Sequence, residues 1–521
     1  MMHVAQTRSA VVIGVRAHII EAQAQVAQGL PHWRIVGLPD ASVSESHERV
    51  RAATLSSGLA WPSSRITVGL SPASLPKRGS GLDLAIALAV QCAAGAIPEP
   101  RTRELGEWVL VGELALNGRV GAVGSVLPAA VAAREVGASR LVVPIANASE
   151  AALVPGLEVL AVASLRHLWA VLAGDDETAE AELRRHPKTH PPRSDADHST
   201  PPDLADVRGQ QEARRALLIA AVGGHHLAMV GAAGVGKTLL ATRLPPLLPD
   251  LDDERALEVS AIRALLRPGS PLGLVRRPPV SAPHHTTTDI ALIGGGSVDH
   301  PRIGLVTAAH HGVLLLDEAA EFSGAALESL RQAIESGVVQ VARGGFDVEL
   351  PAMFQLVLTS NTCPCGRALD TTGAPCSCSS IQRRRYRTRL SGPLLDRVDL
   401  RLTLHRPTLA ELSSAAAAAE STAQGTQRVA AARERSERRL ADSPWRLNAR
   451  VPATVVRTSW PIPAAMQRAL DAAATARESV RGLDLALRVA WTIADLDARP
   501  GPGPDDLQEA LQLRSTQQWA A

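Results

Sequence analysis

Gly231, Ala232, Ala233, Gly234, Val235, Gly236, Lys237 and Thr238 run consecutively as a glycine-rich loop that ends in a lysine and a hydroxyl residue. Glycines in this pattern let backbone N–H groups curl around a phosphate, and the following helix start adds the positive end of its dipole. Lys237 is then placed to bridge the β- and γ-phosphates, and Thr238 to ligate Mg²⁺. The apolar fragment Leu227–Val230 before the loop reads as a strand, and Thr238–Arg243 after it as a helix start, the setting the motif requires. A nucleoside triphosphate site is the implication.

A second set of residues supports it. Val313–Leu316 is an apolar strand that delivers Asp317 and Glu318 at its end. Beside a phosphate loop, Asp317 suits the water shell of Mg²⁺ and Glu318 suits a general base for an attacking water. A third strand, Phe354–Ser360, ends at Asn361, whose amide fits between a γ-phosphate and that water. Arg397 closes a short helical segment, 391–397, from which it could reach a neighbouring subunit's γ-phosphate; by spacing alone a surface salt bridge is the commoner fate of such a residue.

Cys363, Cys365, Cys376 and Cys378 give a C-x-C-x₁₀-C-x-C pattern directly after Asn361. Four thiolates suit a closed tetrahedral Zn²⁺ site of structural kind, although C-x-x-C is the usual spacing, and free thiols or a redox pair are the alternatives. Arg383, Arg384 and Arg385 open the most basic run of the chain, which extends to Arg389. It suits a DNA path or, equally, an interface stripe beside Arg397.

These residues need elements to position them. The chain of 521 residues is long enough for about three domains. Its net charge of +2 implies neither a nucleic-acid coat nor adhesion to a membrane, so such contacts must come from local patches. No apolar run approaches a bilayer span and no charged-then-apolar leader opens the sequence, so the expectation is a cytoplasmic protein that makes no membrane contact. Residues 1–172 alternate β-like runs with apolar helices and read as an α/β or α+β domain. Residues 173–202 turn acidic, histidine-rich and proline-rich and read as a linker. Residues 203–404 alternate strands and helices as an α/β sheet domain, with the cysteine insert at 363–378. Residues 405–521 are helical, ending in three segments near 463–477, 483–497 and 504–514. Alternation around a glycine turn predicts a β-hairpin over 338–350 with Arg343 at its tip; an ordinary exposed hairpin is the bland alternative to a DNA contact.

Further segments carry a resemblance: Asp206–Gln210, Ser281–Thr286, Ile293–Gly296, His311–Glu318, Tyr386–Arg397, Arg488–Leu496, Val36–Asp40 and Leu75–Lys77. Together they resemble the AAA+ ATPases of the magnesium-chelatase branch, and more closely the ComM/YifB group of magnesium-chelatase-like proteins, over essentially the whole chain. The resemblance implies an α/β fold: a P-loop AAA+ ATPase core with an N-terminal Lon-protease-like α+β domain and a C-terminal helical lid carrying a sensor arginine. It implies ATP and Mg²⁺ as cofactors and a ring, hexameric, in which Arg397 acts across the subunit interface and Arg481 on its own chain's nucleotide. A second hairpin is implied around 283–304. The implied activity is a DNA motor for single-stranded or branched DNA, acting in branch migration during recombination or transformation. A protein remodeller is the alternative, and a magnesium-chelatase subunit a further one. Lon-like proteases place a serine where this chain has Gly81, one residue after Ser80, and a lysine where it has Leu127. Both halves of a Ser–Lys dyad are therefore missing, and no peptidase activity is expected.

Overall fold

In this computed structural model the described residues are 3–185, 202–267, 273–296, 301–343, 346–368, 375–390, 392–408, 410–411, 420–475 and 479–514. The chain divides into two compact units, Met1–Ala196 with Ala256–Val275, and Asp197–Arg255 with Arg276–Ala521. The fold is mixed α/β throughout.

The first unit is built on a seven-stranded mixed sheet, in the order His32–Val36, Arg65–Ser71, Arg16–Ala27, His3–Ile13, Trp108–Leu110, Arg140–Pro144, Glu158–Val162. The helix Asp83–Ala93 is apolar on every side and correspondingly buried along its whole length. A second cluster joins Leu127, Ala130 and Ala133 of the helix Leu127–Glu135 to Leu257 and Ala261 of the segment Ala256–Val275. The acidic stretch read as part of a linker is instead helical over Asp176–Arg185. The Asp175 carboxylate accepts the Thr178 N–H at 3.1 Å as a start signal, and Ser164 Oγ donates to the buried Glu182 at 2.7 Å. Local capping and one buried acid thus override a polar composition. The remainder of the expected linker, 186–201, lies outside the described residues.

The second unit carries an all-parallel sheet of five strands, in the order Val280–Ser281, Val313–Leu316, Gln355–Asn361, Leu227–Gly231, Leu400–Leu404. Strands covered on both faces read as continuous apolar runs, and Val313–Leu316 is buried at every position. The helices after residue 420 share one core with this sheet: Val429, Ala486, Ala490, Ile493 and Leu507 pack in the same cluster as Leu227, Val313 and Leu402. At the N-terminal ends of the strands the buried Asp399 accepts the His226 N–H at 2.8 Å, with the His225 ring 3.6 Å away. Burial opposes its charge, but those two histidines hold the carboxyl well below the usual range. Burial pulls His226 itself down to about 4, so its Nδ1 stays an acceptor for the Leu356 N–H.

Two antiparallel hairpins complete this unit. One pairs Gly294–Gly296 with Pro301–Ile303, within the span expected to hold one, and follows the short helix Asp289–Ile293. The other pairs Val338–Arg343 with Phe346–Pro351, as the alternation predicts; its turn residues 344–345 lie outside the described residues. No described helix is long and apolar enough to cross a membrane.

Candidate functional site

The strand order creates the site. The strand Gln355–Asn361 is inserted between Leu227–Gly231 and Val313–Leu316, so the phosphate loop, Asn361 and the acidic pair emerge side by side at the C-terminal edge. In open parallel sheets that edge is where ligands bind. Gly234 and Gly236 take φ of 77° and 97°, left-handed values that favour glycine and give the loop its curl. Gly231 is excluded from substitution for another reason, since a Cβ there would lie 2.7 Å from the Leu404 carbonyl oxygen.

Lys237 is buried, and its Nζ donates to the carbonyls of Gly231 and Ala232 at 3.1 and 2.7 Å and to Asn361 Oδ1 at 2.9 Å. Burial pulls its ammonium below the usual lysine range, with Asp317 and Glu318 opposing. Thr238 Oγ1 donates to Asp317, 3.1 and 2.9 Å from its two carboxylate oxygens. The loop, the strand acids and Asn361 are thus brought together at one edge of the sheet.

Two partners were not foreseen. The Thr359 hydroxyl donates to Asp317 and accepts the Glu318 N–H at 3.2 Å. Glu318 sits at φ 53°, a left-handed conformation costing on the order of 1–3 kcal/mol that neighbours must hold in place. His285 Nδ1 approaches the Glu318 carboxylate to 3.8 Å. For Thr359 a signal existed: strand period 2 puts it on the same face as Asn361. His285 comes to Glu318 only through the pairing of Val280–Ser281 with Val313–Leu316.

The cysteines converge. Cys363 Sγ lies 3.3 Å from Cys365 and 3.7 Å from Cys376, Cys365 lies 3.5 Å from Cys376, and one ligand atom from each of the four falls within 4.8 Å of the others. A tetrahedron of Zn–S bonds near 2.3 Å has edges of about 3.8 Å, so the spacing fits that ion. The Arg367 N–H helps bring the Cys365 thiol down to about 6, while burial pushes Cys363 up. This loop also touches the phosphate loop: the Gly366 carbonyl accepts the Ala233 N–H at 2.8 Å. Gly366 has φ 73°, and a Cβ there would meet the Ala233 Cβ at 2.9 Å. Residues 369–374 of the insert lie outside the described residues.

The arginine run forms the helix Ser380–Arg387, opened by a capping box between Ser379 and Gln382. Arg384 and Arg385 are exposed. Arg383, Arg384 and Arg387 line a cavity of about 870 Å³ shared with Ser360 and Asn361. Arg343 ends its strand beside the hairpin turn.

Arg397 and Arg481 occupy a different place. Both bind Glu335, at 2.6 and 3.1 Å, and hold its carboxyl below the usual range against its burial. They line a cavity with Gly224, His226 and Asp399, residues that precede the strands, whereas the phosphate loop follows one. A five-residue strand spans about 15 Å. The expectation that Arg481 acts on its own chain's nucleotide is therefore corrected: the helix Val480–Leu496 packs at the opposite end of the sheet from that loop. In the first unit Ser80 Oγ donates to Glu113 at 2.5 Å, a Cβ on Gly81 would lie 3.8 Å from the side chains of Val111 and Val123, and Leu127 is buried.

Sheet order and loop together define an α/β protein of the phosphate-loop class. Three stretches match descriptions of one family: residues 203–412 match magnesium chelatase, subunit ChlI, residues 22–147 match subunit ChlI of Mg-chelatase, and residues 419–514 match the ChlI C-terminal part. An uncharacterized protein of Mycobacterium tuberculosis is 45% identical over 512 residues, 98% of each chain. YifB of Escherichia coli is 37% identical over 99% of this chain and 97% of its own. Competence protein ComM of Haemophilus influenzae is 34% identical over 96% of each. The chain belongs to the magnesium-chelatase ChlI family, in its ComM/YifB group of magnesium-chelatase-like proteins.

Proposed function

We propose that this protein is a Mg²⁺-dependent AAA+ ATPase that works in the cytoplasm as a homo-oligomeric ring, a hexamer, and moves single-stranded or branched DNA. The observation that carries the ATPase reading is the Thr238 hydroxyl against the Asp317 carboxylate at 2.9 Å, beside Lys237 bonded to Asn361. Thr238 and Asp317 are the residues to hold Mg²⁺, which when bound neutralises phosphate oxygens. Lys237 and the N–H groups of the loop bind and orient the phosphates. Glu318 takes the proton of the attacking water, and Asn361 orients that water. Arg397 and Arg481, at the far end of the sheet, serve the nucleotide of an adjacent subunit, which makes the ring a requirement for turnover.

DNA as the substrate rests on the hairpin ending at Arg343, on the run Arg383–Arg385, of which Arg383 and Arg384 line a cavity with Asn361, and on the competence name of one relative. The expected result is ATPase activity stimulated several-fold by forked or single-stranded DNA, with a steep fall as salt rises. The Arg343→Ala variant loses stimulation but keeps basal turnover. Turnover indifferent to DNA but raised by a protein partner would move the reading to a protein remodeller.

The helices after residue 420, expected as a lid, are in this reading the part that presents Arg481 to an adjacent subunit's nucleotide, and the first unit is a Lon-protease-like domain without its dyad. Ser80 gives its hydroxyl to Glu113, and Leu127 stands where the lysine belongs. Casein incubated with the purified protein stays intact; digestion that disappears in Ser80→Ala would overturn this.

The four cysteines hold a structural Zn²⁺, and through the contact of Gly366 with Ala233 they brace the phosphate loop. About one zinc per chain is expected, released by a thiol-blocking reagent. Release raises the KM for ATP by about tenfold, because a displaced loop misplaces its donors. A metal-free preparation with unaltered KM would break this link.

A further inference from the structure

The cavity that holds Arg397 and Arg481 contains a third guanidinium that the nucleotide reading leaves unused. Arg488 lies seven residues beyond Arg481 on the helix Val480–Leu496, a spacing that returns to the same helix face. Both side chains line the cavity of about 400 Å³ at the N-terminal ends of the strands, together with Arg397, Glu335 and Asp484.

The charges in this cavity do not balance. The Glu335 carboxylate serves Arg397 and Arg481, and Asp484 is paired with Arg457 at 2.5 Å. Asp399 is bound to the His226 backbone and faces the His225 ring. Arg450 gives its guanidinium to the Phe354 carbonyl at 3.1 Å. Arg488 is left with neither ion pair nor hydrogen bond among the described residues, and its Nε is sealed from solvent with no acceptor. Burial lowers its affinity for the proton, with Asp399 and Asp484 opposing from a distance. An arginine cannot escape that cost by becoming neutral near pH 7. A half-buried cation without a counter-ion is unfavourable until an anion enters, and a guanidinium fork matches phosphate oxygens in pairs.

We propose that Arg488 is the third arm of a phosphate site formed with Arg397 and Arg481, which takes the terminal phosphates of a nucleoside triphosphate held by a second copy of this chain. The inference rests on the ring-ATPase reading for the origin of the phosphate. Its own loop cannot be the source, because that loop lies at the other end of the sheet. Glu335 is the counter-ion that keeps Arg397 and Arg481 aligned until the phosphate replaces it, and Arg488 has no such substitute among the described residues. Arg488 therefore gains most when the neighbour's nucleotide arrives.

The test measures steady-state ATP hydrolysis of the full chain, then of Arg488→Ala, of Arg488→Lys and of each mixed with Lys237→Ala. Arg488→Ala is expected to lower kcat by about 10²-fold with little change in KM and with an unfolding temperature that does not fall. Arg488→Lys keeps the charge without the fork and is expected to recover only part of the loss. Mixing Arg488→Ala with Lys237→Ala restores turnover, since the arginines of the second variant then act on the nucleotide of the first. Failure to restore turnover when wild type is active would overturn the assignment to a neighbouring copy, as would a kcat equal to wild type.

If wild type itself hydrolyses no ATP, the ATPase reading falls, and a second measurement decides the anion site alone. Inorganic tripolyphosphate is titrated into Lys237→Ala and into Lys237→Ala with Arg488→Ala. Binding lost with Arg488 upholds the phosphate site, with free polyphosphate as its source; equal binding in both removes it.

Discussion

Glu318→Gln lowers steady-state ATP turnover by about 10²–10⁴-fold while nucleotide still binds. The amide keeps the size of the carboxylate and loses its basicity, so the change isolates proton transfer from packing. Nucleotide binding survives because its groups lie elsewhere: Lys237 on the Gly231 and Ala232 carbonyls, Thr238 on Asp317, and the curled loop itself. The backbone at residue 318 is strained at φ 53° and is held by the Thr359 hydroxyl through the N–H, which the substitution leaves in place. Strain of this kind collects at functional positions, because an unstrained backbone would aim the side chain elsewhere. The check is a hydrolysis assay beside a titration with a fluorescent nucleotide. Wild-type rates from the purified variant would show that the proton goes to another group.

The phosphate loop, the acidic pair and Asn361 were legible in the sequence for a shared reason. Each is a short polar signal at the end of an apolar run, and a parallel sheet delivers the ends of all its strands to one edge. The four cysteines were legible because thiols seldom crowd by accident. The helix Asp176–Arg185 was missed because its composition is that of a linker, and only the Asp175 cap and the burial of Glu182 against Ser164 distinguish it. Thr359 shares a strand face with Asn361, but its partners, like those of His285 and Glu335, had to be found across the fold. Their partners lie 41, 33 and 62 residues away at nearest, and they are joined by strand order and helix packing, which no local pattern states. The same gap produced the expectation that Arg481 serves its own chain. A sequence motif marks the residue that sits at a helix start, but which end of the sheet that residue faces is seen only from the cavity Arg481 shares with Gly224, His226 and Asp399.

Arg397→Ala is expected to lower kcat by about 10³–10⁵-fold, the usual worth of an arginine that meets the γ-phosphate in the transition state. Its side chain is only 11% exposed and is anchored on Glu335 at 2.6 Å, so it is already oriented before any neighbour arrives. Pre-alignment of this kind reduces the ordering cost of the transition state. Arg481 shares the same carboxylate, and the two substitutions are therefore expected to be non-additive, since residues with a common partner couple. Because both arginines stand at the opposite end of the sheet from their own loop, turnover per chain must also depend on assembly. Specific activity is expected to rise with protein concentration for wild type and to level off once rings are complete. Nucleotide binding to the isolated chain, which uses only its own loop, stays independent of concentration. A specific activity that is flat from dilute monomer to concentrated protein, or an Arg397→Ala variant with wild-type kcat, would mean that each chain completes its own site, and the trans placement of the arginine cluster would fall with it.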